Sequence, residues 1–168
     1  MTEKDNSRQT VTLEEAEEQV IRTARRLALF YHYAAEVLVE ELGPEKGREV
    51  LGEIVSRYGT DSGIVSRAKV LALGLPLTAD NFKKGSDLPA WGWKGGVITG
   101  KDGVQRDMIT YCPLAEVWKE KGSGKLGRIY CSVDQAKYSA YNGTECRHLK
   151  NILDGDHCCL FDLREPAK

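Results

Sequence analysis

The apolar positions in the first quarter of the chain recur at helical spacing. Between Thr12 and Gly43 they fall three and four residues apart, which predicts one long helix. Thr12 and Glu15 form a capping-box pattern at its start, and the pair Gly43 and Pro44 ends it. The chain therefore opens with an amphipathic helix of about thirty residues.

Shorter helical patterns follow, separated by glycine and proline. They predict helices over residues 45–58, 61–73 and 78–84. Gly59 ends the first of these, and Asp61 or Ser62 caps the second. A loop rich in glycine and tryptophan comes next, so a predominantly helical part ends near residue 87.

From Leu88 onward, glycines become frequent and β-branched residues cluster. The pattern predicts strands over residues 97–99, 104–111, 128–131, 146–153 and 157–163. Lys101-Asp102-Gly103 joins the first two strands as a hairpin, and Asp154-Gly155-Asp156 joins the last two. Short helices are predicted over residues 114–121, after Pro113 at the first helical position, and over 133–141.

Helices that precede strands along the chain are typical of an α+β fold. We therefore predict N-terminal helices packed on an antiparallel sheet with two short inserted helices. Residues 1–11 form a disordered tail, and residues 12–168 form a single domain. Within that domain, residues 12–87 are the helical part and residues 88–168 the sheet part.

Composition and charge exclude several functional classes. The chain has 168 residues, 24 of them basic and 25 acidic, so no excess of positive charge indicates nucleic acid or an anionic membrane as a partner. No apolar run approaches the length of a membrane span, and the polar N-terminus lacks a signal-peptide pattern. We expect a cytoplasmic protein with reduced thiols, no cofactor and a small-molecule substrate.

The cysteines of the second half stand where chemistry is favoured. Cys112 precedes a predicted helix at Pro113, and Cys131 precedes another at Val133. Free backbone N–H groups and the helix dipole lower the pKa of a thiol at a helix start, and a thiolate is a nucleophile. Asp134, three residues after Cys131, could act as a general base, or it could only compensate the helix dipole.

The last hairpin adds further candidates. A three-residue loop would place Asn151 opposite Cys159 and Arg147 opposite Leu163, all on the core face. Asn151 and Cys159 would then be a polar pair in an apolar surround, as a buried structural pair or as part of a ligand pocket. Arg147, on the same face, could hold a substrate carboxylate through two hydrogen bonds.

The same register turns other residues away from the core. His148 would face Asp162 on the solvated side, which favours a surface pair over a catalytic base. Trp93, in the loop before the sheet, could form an aromatic wall of the site or a simple hydrophobic cover. A zinc site built on the cysteines is a weaker interpretation, because no close ligand pair such as Cys-x-x-Cys is present.

Three segments resemble the L-2-amino-thiazoline-4-carboxylic acid hydrolase family. They are Thr110-Tyr111-Cys112-Pro113, Tyr130-Cys131-Ser132-Val133-Asp134 and Gly155-Asp156-His157-Cys158-Cys159-Leu160-Phe161. The resemblance implies Cys112, Cys131, Asp134 and Cys159 as catalytic candidates. Two departures affect the substrate: Cys158 is an extra thiol, and His148 stands where a longer basic residue is expected.

The resemblance implies a hydrolase that opens a small cyclic amidine or related C–N heterocycle. Two mechanisms remain open: a thiolate of Cys131 or Cys112 attacks the carbon between sulfur and nitrogen, or Asp134 activates a water and the thiols shape the pocket. Asn151, Arg147 and Trp93 are the expected substrate-binding residues.

Other classes remain as alternatives. The final segment also resembles the 4-vinyl reductase-like domains, which implies a small-molecule sensor without turnover. The apolar stripe formed by Leu27, Tyr31, Ala34 and Leu38 on the first helix could serve as a homo-oligomer face in either class. A thiol-bound metal or cluster is the third alternative.

Overall fold

The computed structural model describes residues 10–86 and 89–167, so residues 1–9 of the predicted tail lie outside the described part. The helices are α1 (Leu13–Leu42), α2 (Pro44–Ala72), α3 (Ala79–Gly85), α4 (Pro113–Glu120), α5 (Gly124–Tyr130) and α6 (Val133–Asn142). The strands are β1 (Lys94–Thr99), β2 (Gln105–Tyr111), β3 (Glu145–Lys150) and β4 (Cys159–Arg164). Short 3-10 turns cover Ala90–Gly92 and Ile152–Asp154.

Helix α1 forms as the sequence predicts and carries one side of the main core. The backbone N–H of Glu15 donates to the Thr12 hydroxyl at 3.2 Å, and the Glu15 carboxylate accepts the Thr12 N–H at 2.8 Å. Further along, the indole N–H of Trp118 on α4 donates to the carbonyl of Ala28 at 3.0 Å. This bond satisfies the one polar atom of a fully buried tryptophan and fixes α4 against α1.

The stripe considered as an oligomer face packs within the chain. Tyr31 is buried, and Leu27 and Leu38 pack against the same core cluster. The apolar side chains that α1 exposes include Phe30 and Val37, which lie on its other side. Homo-oligomerisation through the N-terminal helices stays a prediction.

Helix α2 corrects the sequence interpretation, because Gly59 does not end a helix. One helix runs from Pro44 to Ala72 with both Gly59 and Gly63 buried inside it. A Cβ at Gly59 would come within 2.7 Å of Ala136 Cβ, and one at Gly63 within 2.9 Å of Ala140 Cβ. The two glycines are therefore where α2 and α6 approach each other closely, and they mark a helix contact rather than a break.

The four strands form one antiparallel sheet in the order β1-β2-β4-β3. The predicted hairpin at Lys101-Asp102-Gly103 is confirmed: β1 pairs with β2, and Val97 lies opposite Asp107. Gly103 has a φ of 75°, the left-handed conformation that this turn requires. Strands β2 and β4 form the centre of the sheet, with Cys159 of β4 opposite Ile109 of β2.

The predicted strand over residues 128–131 is wrong, since this segment ends α5. Tyr130 is its last helical residue and lies edge-on to Tyr31, with ring centroids 5.1 Å apart. A short apolar run such as Ile129-Tyr130-Cys131 reads equally well as strand or buried helix, and burial against α1 decides for the helix. Cys131 consequently follows a helix, not a strand.

The predicted register of the last hairpin is wrong by one position. Arg147 lies opposite Asp162 and His148 opposite Phe161, and the register shifts between His148 and Lys150. The connection contains a 3-10 turn rather than a simple three-residue loop. Because side chains alternate along a strand, a one-residue slip moves each β3 side chain to the opposite face.

The predicted α+β class is confirmed, with helices covering one face of the sheet. On that inner face, Phe161 and Leu163 pack in one cluster with Phe82 of α3 and Tyr138 of α6. The other face carries the Arg106–Asp162 ion pair at 2.9 Å. Within residues 10–86 and 89–167, no helix combines the length and hydrophobicity that a membrane span needs.

Candidate functional site

A cavity of about 480 Å³ lies between the inner face of the sheet and helices α3, α4 and α6. The predicted site residues that line it are Trp93, Cys112, Cys131, Asp134 and Cys159. His148 also lines it, although the sequence interpretation placed this residue on the solvated face. The fold thus brings together side chains from the loop before β1, the ends of three helices and two strands.

Asp134 and His148 form the polar centre of the cavity. The Oδ2 atom of Asp134 lies 3.1 Å from Nε2 of His148. The His148 side chain is 8% exposed and the Asp134 side chain 33%, so the ring is enclosed while water can reach the carboxylate. The His148 ring also meets the Phe161 ring edge-to-face at 4.6 Å, which holds its plane.

Asn151 determines how the His148 ring is protonated. The side-chain Nδ2 of Asn151 lies 2.8 Å from Nδ1 of His148, and Oδ1 of Asn151 accepts the backbone N–H of Leu153 at 2.9 Å. With its oxygen occupied by that N–H, the amide presents its NH₂ group to the ring. Nδ1 is then the acceptor, and Nε2 carries the proton that is donated to Asp134.

The backbone of Asn151 is fixed as well. Its N–H donates to the carboxylate of Asp156 at 2.8 Å, and its φ and ψ of −145° and 131° let it cap the 3-10 turn Ile152–Asp154. Asn151 is 1% exposed. The Asp134–His148–Asn151 chain therefore rests on a rigid, buried anchor in the loop between β3 and β4.

Cys112 occupies the predicted helix start but does not gain the predicted reactivity. It is the residue before α4, and burial raises the pKa of its thiol. Hydrogen bonds from the backbone N–H of Ala115, the indole of Trp93 and the N–H of Leu114 offset part of this effect. The helix-start contribution exists, and desolvation outweighs it.

Cys131 lies at the end of α5, and its thiol is less acidic still. Burial raises the pKa of Cys131 to about 12, against an offsetting hydrogen bond from the Asn151 side chain, and the negative charge of Asp134 raises it further. The thiol donates to the carbonyl of Gly127 at 3.8 Å. The expected lowering of the Cys131 pKa at a helix start is not found, because burial outweighs it; Cys131 is also the C-cap of α5, where carbonyl oxygens are presented.

Cys159 completes the group of thiols. Burial raises its pKa too, and its sulfur accepts the backbone N–H of Ile152 at 3.5 Å. Cys112, Cys131 and Cys159 are therefore neutral thiols near pH 7, lining an apolar wall beside Asp134.

Two predicted substrate-binding residues do not line the cavity: Asn151 contacts it only through His148 and Cys131, and Arg147 lies away from it. On β3 the Arg147 side chain lies opposite that of Asp162 on the outer face, and its Nε donates to Glu145 at 2.7 Å. The cations at the rim of the cavity include Lys94 of β1, which lies 5.9 Å from the Tyr111 ring centroid. Among the residues that the structure describes, no cluster of three His, Cys, Asp or Glu side chains is placed to hold a metal ion.

His148 is the functional candidate that the sequence analysis considered as a base but assigned to the surface. The sequence gives no indication of the register shift between His148 and Lys150, where Leu149 is 50% exposed. Leu149 reads as a core residue in a regular strand, and its outward position is what turns His148 inward. The sequence does not show that a hydrophobic residue lies at an irregularity of a strand and points outward.

Comparisons with known proteins agree with the fold and the resemblance. The family model described as L-2-amino-thiazoline-4-carboxylic acid hydrolase matches residues 23–163. A similar solved structure is described as a trafficking protein particle complex subunit 3 from Naegleria fowleri covalently bound to palmitic acid. It is 17% identical, with a TM-score of 0.52 over 86% of this chain and 96% of that one, a likeness of fold. No curated protein matches the chain.

Proposed function

This chain belongs to the L-2-amino-thiazoline-4-carboxylic acid hydrolase family, and we propose that it opens a small cyclic amidine of the 2-aminothiazoline-carboxylate type with water. The observation that carries the proposal is the Asp134–His148 pair, 3.1 Å apart, in a cavity whose lining is otherwise mainly apolar, with charged residues such as Lys94 at the rim. A carboxylate held by a histidine and reached by water is suited to general base catalysis.

Water, rather than a thiolate, is the proposed nucleophile. A cysteine attacks as its thiolate, and burial raises the pKa of Cys112, Cys131 and Cys159. Asp134 adds a negative charge that disfavours a second anion beside it. The thiols then shape the pocket around the ring, and the carboxylate moves the protons.

The reaction begins at the ring carbon between sulfur and nitrogen. Asp134 removes a proton from water, the oxygen bonds to this carbon, and the proton passes to the ring nitrogen. The tetrahedral carbon next loses its hydroxyl proton and expels the ring sulfur, which takes that proton and leaves as a thiol. A urea remains, because a thiolate is a better leaving group than an amide nitrogen.

The neighbouring residues position these groups. His148 donates its Nε2 proton to Asp134 and orients the carboxylate, while Asn151 holds the ring. Trp93 supplies a wall of the cavity, and Lys94 at its rim takes the role of binding the substrate carboxylate that the sequence interpretation gave to Arg147.

The test is turnover of 2-aminothiazoline-4-carboxylate by the purified protein, measured as the release of a free thiol. Asp134→Asn should lower kcat by about 10²–10⁴-fold. Cys112→Ala and Cys131→Ala should each keep turnover. Glu116→Gln is the matched control, since Glu116 is also a first-turn acid of a helix, α4, and lies outside the cavity lining.

Two results would overturn the proposal. One is no thiol release from this ring or from a panel of related cyclic amidines. The other is full activity of Asp134→Asn together with loss of activity in a cysteine variant, which would make the thiol the nucleophile.

A second candidate is binding of an apolar small molecule without turnover. The neutral thiols and the aromatic walls of the cavity favour it, because such surfaces bind apolar ligands well. Saturable binding of a ring compound with no thiol released on prolonged incubation would favour this function over hydrolysis.

A further inference from the structure

Two groups of apolar residues line the cavity. The thiol arm is formed by Cys112, Cys131 and Cys159, and the aromatic arm is formed by Phe82, Val97, Tyr138, Phe161 and Leu163. Asp134 lies near both groups: after burial, its negative charge is a further cause that raises the pKa values of the three thiols and of Tyr138.

Contacts of the polar centre connect it to both arms. Toward the thiol arm, Asn151 bonds to both His148 and Cys131. Toward the aromatic arm, the His148 ring lies 4.6 Å from Phe161. Tyr138 follows Asp134 by one turn of α6, and its ring lies 4.4 Å from that of Phe82.

The cavity is larger than the bare ring requires. A cavity of about 150 Å³ holds benzene, so the nine non-hydrogen atoms of 2-aminothiazoline-4-carboxylate need about 220 Å³. The cavity measures about 480 Å³. If the ring binds in the thiol arm with its reactive carbon at Asp134, the aromatic arm is free to bind another part of the substrate.

The walls of the aromatic arm favour an uncharged occupant. Its charged lining residues include Lys83 and Asp107, which pair with each other at 2.7 Å near the rim. The Lys83 side chain is 62% exposed and the Asp107 side chain 28%, so the two charges compensate each other and the lysine end of the pair reaches solvent. The aromatic rings and Leu163 of this arm form an apolar surface. An aliphatic or aromatic group of a ligand bound there would bury that surface away from water.

We propose that the substrate of this protein is a cyclic amidine carrying an apolar substituent on its exocyclic nitrogen, bound in the aromatic arm. This proposal rests on the proposed hydrolysis. The exocyclic nitrogen is attached to the reactive carbon, so a substituent there extends away from the ring and past Asp134. A substituent on the ring carbon next to sulfur would instead point into the thiol arm, which the ring already fills.

The experiment compares two matched series of 2-aminothiazoline-4-carboxylates. One carries methyl, ethyl and propyl groups on the exocyclic nitrogen, and the other carries them on the ring carbon next to sulfur. In the first series kcat/KM should rise by up to about fourfold for each added methylene, and in the second it should stay level or fall. Thiol release reports turnover in both series.

A variant tests which arm is responsible. Val97 is 58% exposed and lies opposite Asp107 on the edge strand β1, so Val97→Trp adds bulk to the aromatic arm without entering the core. The gain with chain length should disappear in this variant. Val37→Trp is the control: Val37 is similarly exposed, on α1, and its substitution should leave the gain intact.

The outcomes separate the two proposals. Suppose the unsubstituted ring is turned over, but kcat/KM does not rise in the first series or rises only in the second. The proposal of an apolar substituent on the exocyclic nitrogen is then wrong, and the proposed hydrolysis is unaffected. If kcat/KM still rises with chain length in Val97→Trp, the substituent does not bind in the aromatic arm. No turnover of any compound in either series overturns the hydrolysis and the substituent with it.

Discussion

The amide nitrogen of Asn151 lies 2.8 Å from Nδ1 of His148, and this contact sets the direction of the hydrogen bonds that reach Asp134. Because Oδ1 of Asn151 is held by the Leu153 N–H, the amide cannot turn over without losing a buried bond. The histidine is thereby restricted to donating its Nε2 proton to the carboxylate. A residue outside the cavity lining thus controls the orientation of the proposed base.

Replacing Asn151 with aspartate should disturb this control with little change in size. A carboxylate cannot donate to Nδ1 as the amide does, so the direction of this hydrogen bond reverses and the ring is held between two acceptors instead of a donor and an acceptor. We expect kcat/KM to fall by about 10–100-fold and the pH–rate profile to change shape. Asn142→Asp, an amide-to-acid change outside the cavity, is the control. A profile that is merely scaled down, with its shape kept, would indicate a structural role only.

The thiols should be slow to react with alkylating agents. With the pKa of Cys131 raised to about 12 by burial, its thiolate fraction at pH 8 is about three orders of magnitude below that of a free cysteine. Mass spectrometry after timed iodoacetamide treatment measures this rate. Asp134→Asn should speed the reaction, because the nearby negative charge is removed. Rapid modification of the unaltered protein at pH 7 would contradict the neutral thiols.

The same pKa shifts predict loss of stability at alkaline pH. An unfolded cysteine ionises near pH 8.5, whereas burial keeps Cys112, Cys131, Cys146 and Cys159 protonated in the fold. Above pH 8.5 the unfolded state binds fewer protons, so the free energy of unfolding falls as pH rises through this window. Urea unfolding between pH 7 and 10.5 checks the sign, and Cys131→Ser should reduce the slope. A flat profile would be inconsistent with the buried thiols.

The fold class and the family could be predicted because they depend on signals local to the chain. The capping box at Thr12, the turn at Gly103 and Pro113 at a helix start each act through neighbouring residues, and the structure has all three. The resemblance segments are likewise short and contiguous, and the family match confirms the family they indicated.

The sequence could not supply the features that depend on distant partners. Gly59 reads as a helix end, and only the approach of α6 shows why a glycine stands inside α2. A leucine in a strand predicts burial, but Leu149 is exposed. Its neighbour His148 therefore points to the inner face of the sheet, opposite to the face that the sequence predicts. The thiol pKa values depend on burial by elements far along the chain, whereas helix-start electrostatics can be read from adjacent residues.

The contact between α2 and α6 gives a matched pair of glycine substitutions. At Gly63 a methyl group would meet the Lys137 carbonyl and lie 2.9 Å from Ala140 Cβ, whereas at Gly52 nothing lies within 4 Å. Gly63→Ala should therefore lower the free energy of unfolding by about 1–3 kcal/mol, because α6 must move. It should also reduce turnover, since α6 carries Asp134 in its first turn.

Gly52→Ala tests the same chemical change in open space on the same helix. It should raise the free energy of unfolding by about 0.5–1 kcal/mol, because alanine costs less backbone entropy than glycine in a helix. Turnover should stay unchanged, since Gly52 lies outside the cavity lining. Urea denaturation and thiol release measure both quantities. Equal stabilisation by the two substitutions would mean that α2 and α6 do not approach at Gly63, and that the position of Asp134 does not depend on this contact.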